Sequence, residues 1–167
     1  GLSYYQTRVE DLIDYNFLQS KNVNVGEAEL EGVETVLDWA PVNWVSTRLA
    51  YIWTDARNRV THARLLRRPE HAWQAELEFK PGENWALGVS FNGMGARNDV
   101  TYANAGAFQS AAGRTPGFGL ISLWAHYDLG DAELFARMEN VSDERYEQPA
   151  AFAGAPRNLQ AGLRLRF

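Results

Sequence analysis

The last eleven residues, 157–167, restrict most strongly what this chain can fold into. Apolar residues occupy every second position, with polar residues or glycine between them; the apolar set is Leu159, Ala161, Leu163, Leu165 and Phe167. A β-strand with this pattern has one apolar and one polar face. A half-buried strand of a soluble sheet gives the same alternation. Two details favour a transmembrane strand: the length suits a tilted bilayer crossing, and the two arginines of the polar face suit a water-filled lumen.

The composition excludes several classes of protein. A chain of 167 residues forms one domain, and its net charge of −5 gives no indication of a nucleic-acid partner. The absence of cysteine excludes disulfides and thiolate metal sites. No apolar run is long enough for a transmembrane helix, so an inner-membrane protein is not expected. The aromatic content of 13%, with six Trp, is typical of a barrel with aromatic girdles at both membrane interfaces.

About eight segments are predicted to be strands, most of them with the same alternation as the last one and the first with a mixed alternation. They lie near residues 2–15, 27–39, 45–54, 73–80, 85–92, 121–129, 133–139 and 157–167. In the second segment the apolar parity switches at Gly32, and we expect a β-bulge there. In the seventh, Phe135 stands among charged residues and blurs the pattern.

The connections between these segments differ regularly in length. Short turns near 41–43, 81–84 and 130–131 alternate with long loops near 16–26, 55–70, 93–117 and 141–156. A transmembrane barrel has short periplasmic turns and longer extracellular loops, whereas a soluble sandwich has no reason to separate them. We therefore predict an all-β fold, a transmembrane antiparallel up-and-down β-barrel. A soluble lipocalin-like barrel stays open as an alternative.

Several segments resemble the TonB-dependent outer-membrane receptors of Gram-negative bacteria. They are Val9–Tyr15, Asn24–Glu34, Thr54–Asn58, Leu65–Pro69 and the Glu-Asn-Val-Ser-Asp-Glu-Arg-Tyr run 139–146. The resemblance is closest to the branch that takes up vitamin B12 (cobalamin), on account of Asp-Ala-Arg-Asn at 55–58 and Leu-Leu-Arg-Arg at 65–68. The ending Leu163, Leu165 and Phe167 looks like the signal that hands such barrels to the barrel-assembly machinery.

The resemblance implies that residues 1–167 are one segment, the carboxy-terminal part of a larger barrel of roughly 22 strands. The plug domain and the amino-terminal segment that contacts TonB have no counterpart here. The chain start lacks a signal peptide, which indicates a processed protein or a piece of one. The implied function is TonB-dependent uptake of cobalamin or a related metal chelate across the outer membrane, without enzyme activity or a cofactor.

In such receptors the extracellular loops gather the ligand. Aromatic and hydrogen-bonding side chains suit a bulky polar chelate. The candidates in the loop 93–117 are Tyr102, Phe108, Gln109 and Arg114. Each of these residues is alternatively explained as part of a solvated loop.

The remaining polar residues form no catalytic motif. Five arginines at 57, 59, 64, 67 and 68 are candidates for contact with lipopolysaccharide phosphates. Alternatively, the run is a solvated loop balanced by Glu76 and Glu78. The three histidines lack the spacing of a metal site, and the acidic pairs lack that of a calcium loop.

Two alternatives to a cobalamin receptor remain open. One is a siderophore receptor of the same family. The other is a self-standing small outer-membrane barrel with a structural or adhesive role, because an even set of about eight strands can close on itself.

Overall fold

The computed structural model describes residues 1–16, 19–102 and 110–166, and these ranges form an antiparallel all-β fold, as predicted. The strands are β1 Leu2–Asn16, β2 Lys21–Val42, β3 Val45–Asn58, β4 His71–Phe79, β5 Trp85–Met94, β6 Arg97–Tyr102, β7 Ser110–Thr115, β8 Phe118–Asp128, β9 Ala132–Glu139 and β10 Asn158–Leu165. The described ranges contain no helix long and apolar enough to cross a membrane.

Eight of the strands form one meandering sheet in the order β1-β2-β3-β4-β5-β8-β9-β10. The other two, β6 and β7, pair with each other as a hairpin inserted between β5 and β8. Within the described residues β1 and β10 lie at opposite edges, so the sheet does not close on itself. The prediction of eight up-and-down strands is confirmed for the main sheet. Its two open edges count against the alternative of a self-standing closed barrel, which stays a prediction to be tested.

Two connections predicted as loops contain strand residues. The segment 21–26 belongs to β2 and pairs with β1, and the segment 93–117 holds the β6–β7 hairpin. In 21–26 only Val23 and Val25 alternate with asparagines, and the segment 93–117 shows no sustained alternation of apolar and polar residues. Backbone pairing alone makes them strands, and the sequence pattern does not report it.

The parity switch in β2 is not a bulge, contrary to the prediction. Gly32 pairs in continuous register with Tyr5 on one side and Thr54 on the other. After Gly32 the odd positions are Val33, Thr35, Leu37 and Trp39, whereas before it they are Glu27, Glu29 and Glu31. The strand therefore passes from an apolar to an aqueous environment while its side chains keep the same alternation.

Directly opposite residues share a face of the sheet, so the register defines two faces. One face collects the large apolar side chains, many of them about half exposed, among them Leu37, Leu49, Leu77, Leu123, Leu134, Leu159 and Leu163. The other carries polar residues such as Arg48, Gln74, Glu76, Asn92 and His126. The buried hydrophobic residues of the described ranges are all small, Ala28, Ala56, Val100 and Ala150. A soluble barrel would enclose its large apolar side chains, so the apolar face is the lipid face.

Aromatic side chains border this lipid face at both ends. At the end with the long connections, His71, Tyr51 and Trp73 form a cluster of three rings with centroid distances of 5.8 to 6.1 Å, and the Tyr51 hydroxyl bonds to His71 Nδ1 at 2.8 Å. At the end with the short turns, Trp85 and Tyr127 lie 4.7 Å apart. These two rims correspond to the girdles that the six Trp indicated.

Candidate functional site

The long connections all lie at one end of the sheet, because consecutive strands run in opposite directions. Besides the β1–β2 turn they are the loop 59–70, the β6–β7 hairpin with its flanks, and the loop 140–157. We call this end the loop end. The sequence resemblance predicts ligand capture at this end. The hydrogen bonds between its loops therefore bear on how a ligand could be held.

The carboxylate of Asp99, in β6, joins three of these segments. Asp99 is fully buried, and its Oδ1 accepts hydrogen bonds from Arg67 Nε at 2.8 Å and from its neighbour Val100 N at 2.8 Å. Its Oδ2 accepts from Thr115 Oγ1 at 3.1 Å in β7 and from Ala150 N at 2.9 Å in the loop 140–157. We call Asp99, Arg67, Thr115 and Ala150 the Asp99 clasp.

Two further bonds run between the same segments. The Arg67 backbone N–H donates to the Asn98 carbonyl at 2.7 Å, and Arg97 Nη2 donates to the Glu147 carbonyl at 2.8 Å. Arg67 itself has a left-handed backbone with φ of +58°, which is unfavourable for a residue with a side chain. The hairpin is thus joined to both neighbouring loops by main-chain as well as side-chain groups.

The electrostatics of the clasp favour an ionised carboxylate. Burial acts to raise the pKa of Asp99, but the hydrogen bonds from Ala150, Arg67, Val100 and Thr115 outweigh it and lower that pKa to about 2. Each of these donors stabilises the charged form of the carboxylate. Asp99 is therefore negatively charged at any physiological pH.

The arginine run of the loop 59–70 is largely neutralised within the loop end. Arg57 bonds to Asp55 at 2.8 Å, Arg64 to Glu70 at 2.6 Å and Arg67 to Asp99 at 2.8 Å, and Arg59 bonds to Glu27. The Arg64 guanidinium lowers the pKa of Glu70. The interpretation that Glu76 and Glu78 balance this run is wrong, since both lie on the polar face in β4. The chain instead supplies a nearby acid for four of the five arginines.

The Asn140 side chain organises the start of the loop 140–157. Its Nδ2 donates to the carbonyls of Glu144 and Ala155, both at 3.0 Å, and its Oδ1 accepts from Glu144 N at 2.8 Å. Tyr146 lies over Gly154, where a Cβ would come within 2.1 Å of the ring. Side chains of the 139–146 motif thus hold the connection between β9 and β10 in its conformation.

The structure places the four predicted ligand residues only in part. Arg114 lies in β7, exposed, opposite Asn98, and Tyr102 ends β6 opposite Ser110. Both therefore belong to the hairpin that Asp99 holds. Phe108 and Gln109 lie outside the described residues.

The predicted assembly signal lies in β10, at the edge of the sheet. Leu163 and Leu165 are on the lipid face, about half exposed, opposite Leu134 and Ala132, and Phe167 lies outside the described residues. On the polar side Arg164 bonds to Glu133 at 2.9 Å. Their role in assembly stays a prediction.

Sequence reasoning did not single out Asp99. Its partners stand 32, 16 and 51 residues away, and an aspartate in a polar stretch has no feature that separates it from a surface residue. The Leu-Leu-Arg-Arg segment did contain Arg67, but as part of a resemblance and not as a partner of Asp99. In the described ranges no group of three or more His, Asp or Glu side chains is placed to hold a metal ion.

The chain matches one known protein family by sequence and several solved structures by fold. Residues 1–141 match the family described as TonB dependent receptor-like, beta-barrel. The ferripyoverdine receptor of the Pseudomonas aeruginosa outer membrane is similar over 98% of this chain and 24% of its own, with a TM-score of 0.78 and 17% identity. The ferric-catecholate import receptor Fiu from E. coli is similar over 99% and 25%, with 0.75 and 16%.

A copper transporter, OprC, is similar over 99% of this chain and 27% of its own, with a TM-score of 0.82 and 19% identity. At these identities the likeness concerns the fold, and this chain spans about a quarter of the length of each of the three proteins. The family match covers most of the chain. The chain therefore belongs to the TonB-dependent receptor-like β-barrel family, whose barrels lie in the outer membrane of Gram-negative bacteria.

Proposed function

We propose that this chain is part of the barrel of a receptor that takes up a metal chelate by a TonB-dependent route. The observation that carries the proposal is the loop end, where the Asp99 clasp holds a hairpin and two loops together. A ligand-binding surface built from loops gains affinity when those loops are already ordered. The family membership supports the same function.

We also propose that the chain is the carboxy-terminal part of its barrel and that a plug domain belongs to the parent protein. The open sheet supports this, because exposed strand edges are not tolerated in lipid and β1 and β10 need further partners. TonB would act through the parent's own segment. Outer-membrane lipid on the apolar face, lipopolysaccharide near the exposed Arg68 and the barrel-assembly machinery are the other proposed partners.

For the chelate itself the first candidate is cobalamin, on the resemblance at 55–58 and 65–68. In the structure, however, Arg57 and Arg67 are paired with acids, and Asn58 Oδ1 accepts bonds from Val60 N and Thr61 N within its own loop. These residues build the loop, so their resemblance carries less weight for the ligand. A ferric siderophore is the second candidate, and the solved neighbours include receptors for ferripyoverdine and ferric catecholates.

Growth of the source bacterium separates the candidates. A strain without the parent gene is grown with cyanocobalamin as the limiting nutrient, and separately with ferric siderophores as the sole iron source. We expect a growth defect in one condition, restored by the intact gene and not restored when TonB is inactivated. Equal growth of mutant and wild type in every condition would contradict uptake of a chelate.

Binding tests the hairpin directly. Replacing Tyr102 and Phe108 with Ala in the complete parent is expected to weaken binding of the chelate found by growth, measured by fluorescence quenching. The matched control is Tyr4→Ala, an exposed tyrosine of β1 outside the loop end. Unchanged affinity in the Tyr102 and Phe108 variants would remove both residues from the site.

A further inference from the structure

We infer that Asp99 is a positioning residue for ligand capture, because it makes the β6–β7 hairpin, the loop 59–70 and the loop 140–157 one cooperative unit. The ligand part of this inference rests on the proposed function. The cooperative part rests on geometry alone, and the two parts are tested separately below.

The first step concerns the cost of releasing any one segment. Asp99 is fully buried and charged, and its four donors come from three segments that are far apart in sequence. A buried carboxylate that loses a donor is left poorly compensated, which is costly in a low-dielectric site. Departure of one segment therefore opens the carboxylate to water, which competes with the donors of the other segments.

The second step concerns how the loops keep their conformation. Arg67 and Ala151, with φ of +58° and +67°, stand in or next to the clasp with left-handed backbones. Such conformations persist in residues with side chains where the surroundings hold them. The bonds of Arg67 to Asp99 and Asn98, and of Ala150 to Asp99, are those surroundings.

The third step links the clasp to the ligand. Tyr102 and Arg114 belong to the hairpin that Asp99 ties down, so their backbone positions depend on it. If the loop end holds its binding conformation for a smaller fraction of the time, the apparent affinity falls by that fraction. Asp99 thus acts on ligand binding through the loops, without contact with the ligand.

Hydrogen exchange of the complete receptor in detergent tests the cooperative unit. The variant is Asp99→Asn, and the matched control is Glu70→Gln, the same carboxylate-to-amide change in an exposed ion pair of the loop 59–70. We expect Asp99→Asn to raise exchange about tenfold in all three segments, and Glu70→Gln to raise it in its own loop alone. A rise confined to the hairpin in Asp99→Asn would overturn the inference.

A second variant keeps the inference testable if the Asp99→Asn receptor does not assemble. Thr115→Val removes one donor to the carboxylate while keeping the side-chain shape, and its hydroxyl bond is one of four. We expect a smaller rise in exchange in the same three segments. A rise at residues 97–115 alone would count against cooperativity.

Binding of two probes tests the positioning role. Wild type, Asp99→Asn and Glu83→Gln are titrated with cyanocobalamin and with a ferric catecholate; Glu83 is an exposed glutamate in the short turn between β4 and β5, away from the loop end. We expect Asp99→Asn to raise the Kd about tenfold for the probe that wild type binds, and Glu83→Gln to leave it unchanged. Loosened loops with an unchanged Kd would overturn the positioning role. If wild type binds neither probe, cobalamin and ferric catecholates are excluded as ligands, and the exchange experiment still decides the cooperative unit.

Discussion

At the scale of single residues, the loop end depends on buried polar side chains that accept or donate hydrogen bonds between chain segments. Asp99 and Thr115 are buried almost completely and bond to each other across the hairpin, and Asp99 also accepts bonds from Arg67 and Ala150 in the two neighbouring loops. A buried carboxylate contributes stability when its donors favour the charged form over the protonated one. Its contribution must then depend on pH.

The depressed pKa of Asp99 predicts a loss of loop order in acid. Its pKa is about 2 in the folded protein and near 3.8 when exposed, so the stabilisation is complete above about pH 4 and is lost as the pH falls toward 2. We expect pepsin cleavage within residues 97–115 to increase over this window in the complete receptor. Asp99→Asn serves as the control for pepsin's own pH dependence. Its hairpin is already loosened, so we expect its cleavage to show no further increase as the pH falls. A parallel pH response in both proteins would show that another group is responsible.

Asn140 is a second residue at the loop end whose side chain must both donate and accept hydrogen bonds. It donates to two carbonyls and has a left-handed backbone with φ of +49°, a conformation that asparagine adopts more readily than most residues. In Asn140→Asp a carboxylate would face those carbonyls without a proton to donate. We expect a loss of about 1–3 kcal/mol in loop stability, seen as faster tryptic cleavage at Arg145. Asn98→Asp, at an exposed position, should leave that cleavage unchanged; an equal effect of both would point to net charge instead.

At the scale of elements, aromatic rings on the polar face fill the space beside glycines of the next strand. Trp124 in β8 lies over Gly88 in β5, where a Cβ would come within 2.0 Å of the indole, and Phe135 in β9 lies over Gly162 in β10. This pairing explains why Phe135 interrupts the alternation of its strand. It covers a glycine and does not face lipid.

Gly88→Ala therefore tests how tightly β5 and β8 are packed. The added methyl group must displace the Trp124 ring, and we expect a loss of about 1–3 kcal/mol of unfolding free energy. Urea titration of the receptor in lipid vesicles measures it. Gly82→Ala, in a turn with nothing within 4 Å of the added carbon, is the matched control. In Trp124→Ala the same Gly88→Ala change should cost little, and an undiminished loss there would exclude the ring as its cause.

The two faces of β4 offer a direct test of the lipid assignment. Leu77 lies on the apolar face and Gln74 on the polar face of the same strand. An arginine on a lipid face costs about 2–4 kcal/mol at the bilayer midplane and less toward the interfaces. We expect Leu77→Arg to destabilise the barrel in this range and Gln74→Arg to have little effect, both by urea titration in vesicles. Equal losses at the two positions would contradict the assignment of the faces.

The elements that sequence alone predicted are those that cross the lipid. Lipid imposes an apolar residue at every second position, so β4 and β5 were visible from alternation. Residues 21–26 of β2 and the β6–β7 hairpin lie beyond the lipid, which imposes no alternation on their side chains, so the sequence predicts loops there. The Asp99 clasp could not be predicted for a related reason, because long-range hydrogen bonds between polar residues leave no periodic pattern in a sequence.

At the scale of the whole molecule, both faces of the sheet suit their surroundings, but both edges have unpaired backbone hydrogen-bonding groups. The lipid face is apolar between aromatic rims, and the polar face pairs its charges, as Arg164 does with Glu133. The outer strands β1 and β10 each have one partner in the described part of the chain. In lipid, an unpaired strand edge leaves backbone N–H and C=O groups without any hydrogen bond.

This imbalance predicts how residues 1–167 behave when they are made alone. The backbone groups along β1 and β10 must find partners, so the isolated chain should associate edge to edge in detergent, whereas the complete receptor supplies the missing strands. We expect size-exclusion chromatography with light scattering to give a polypeptide mass several times the 18.8 kDa of the chain for the isolated segment. The complete receptor in the same detergent should be monodisperse. A folded, heat-modifiable monomer of 18.8 kDa would mean that these strands can close on themselves, and membership in a larger barrel would then have to be abandoned.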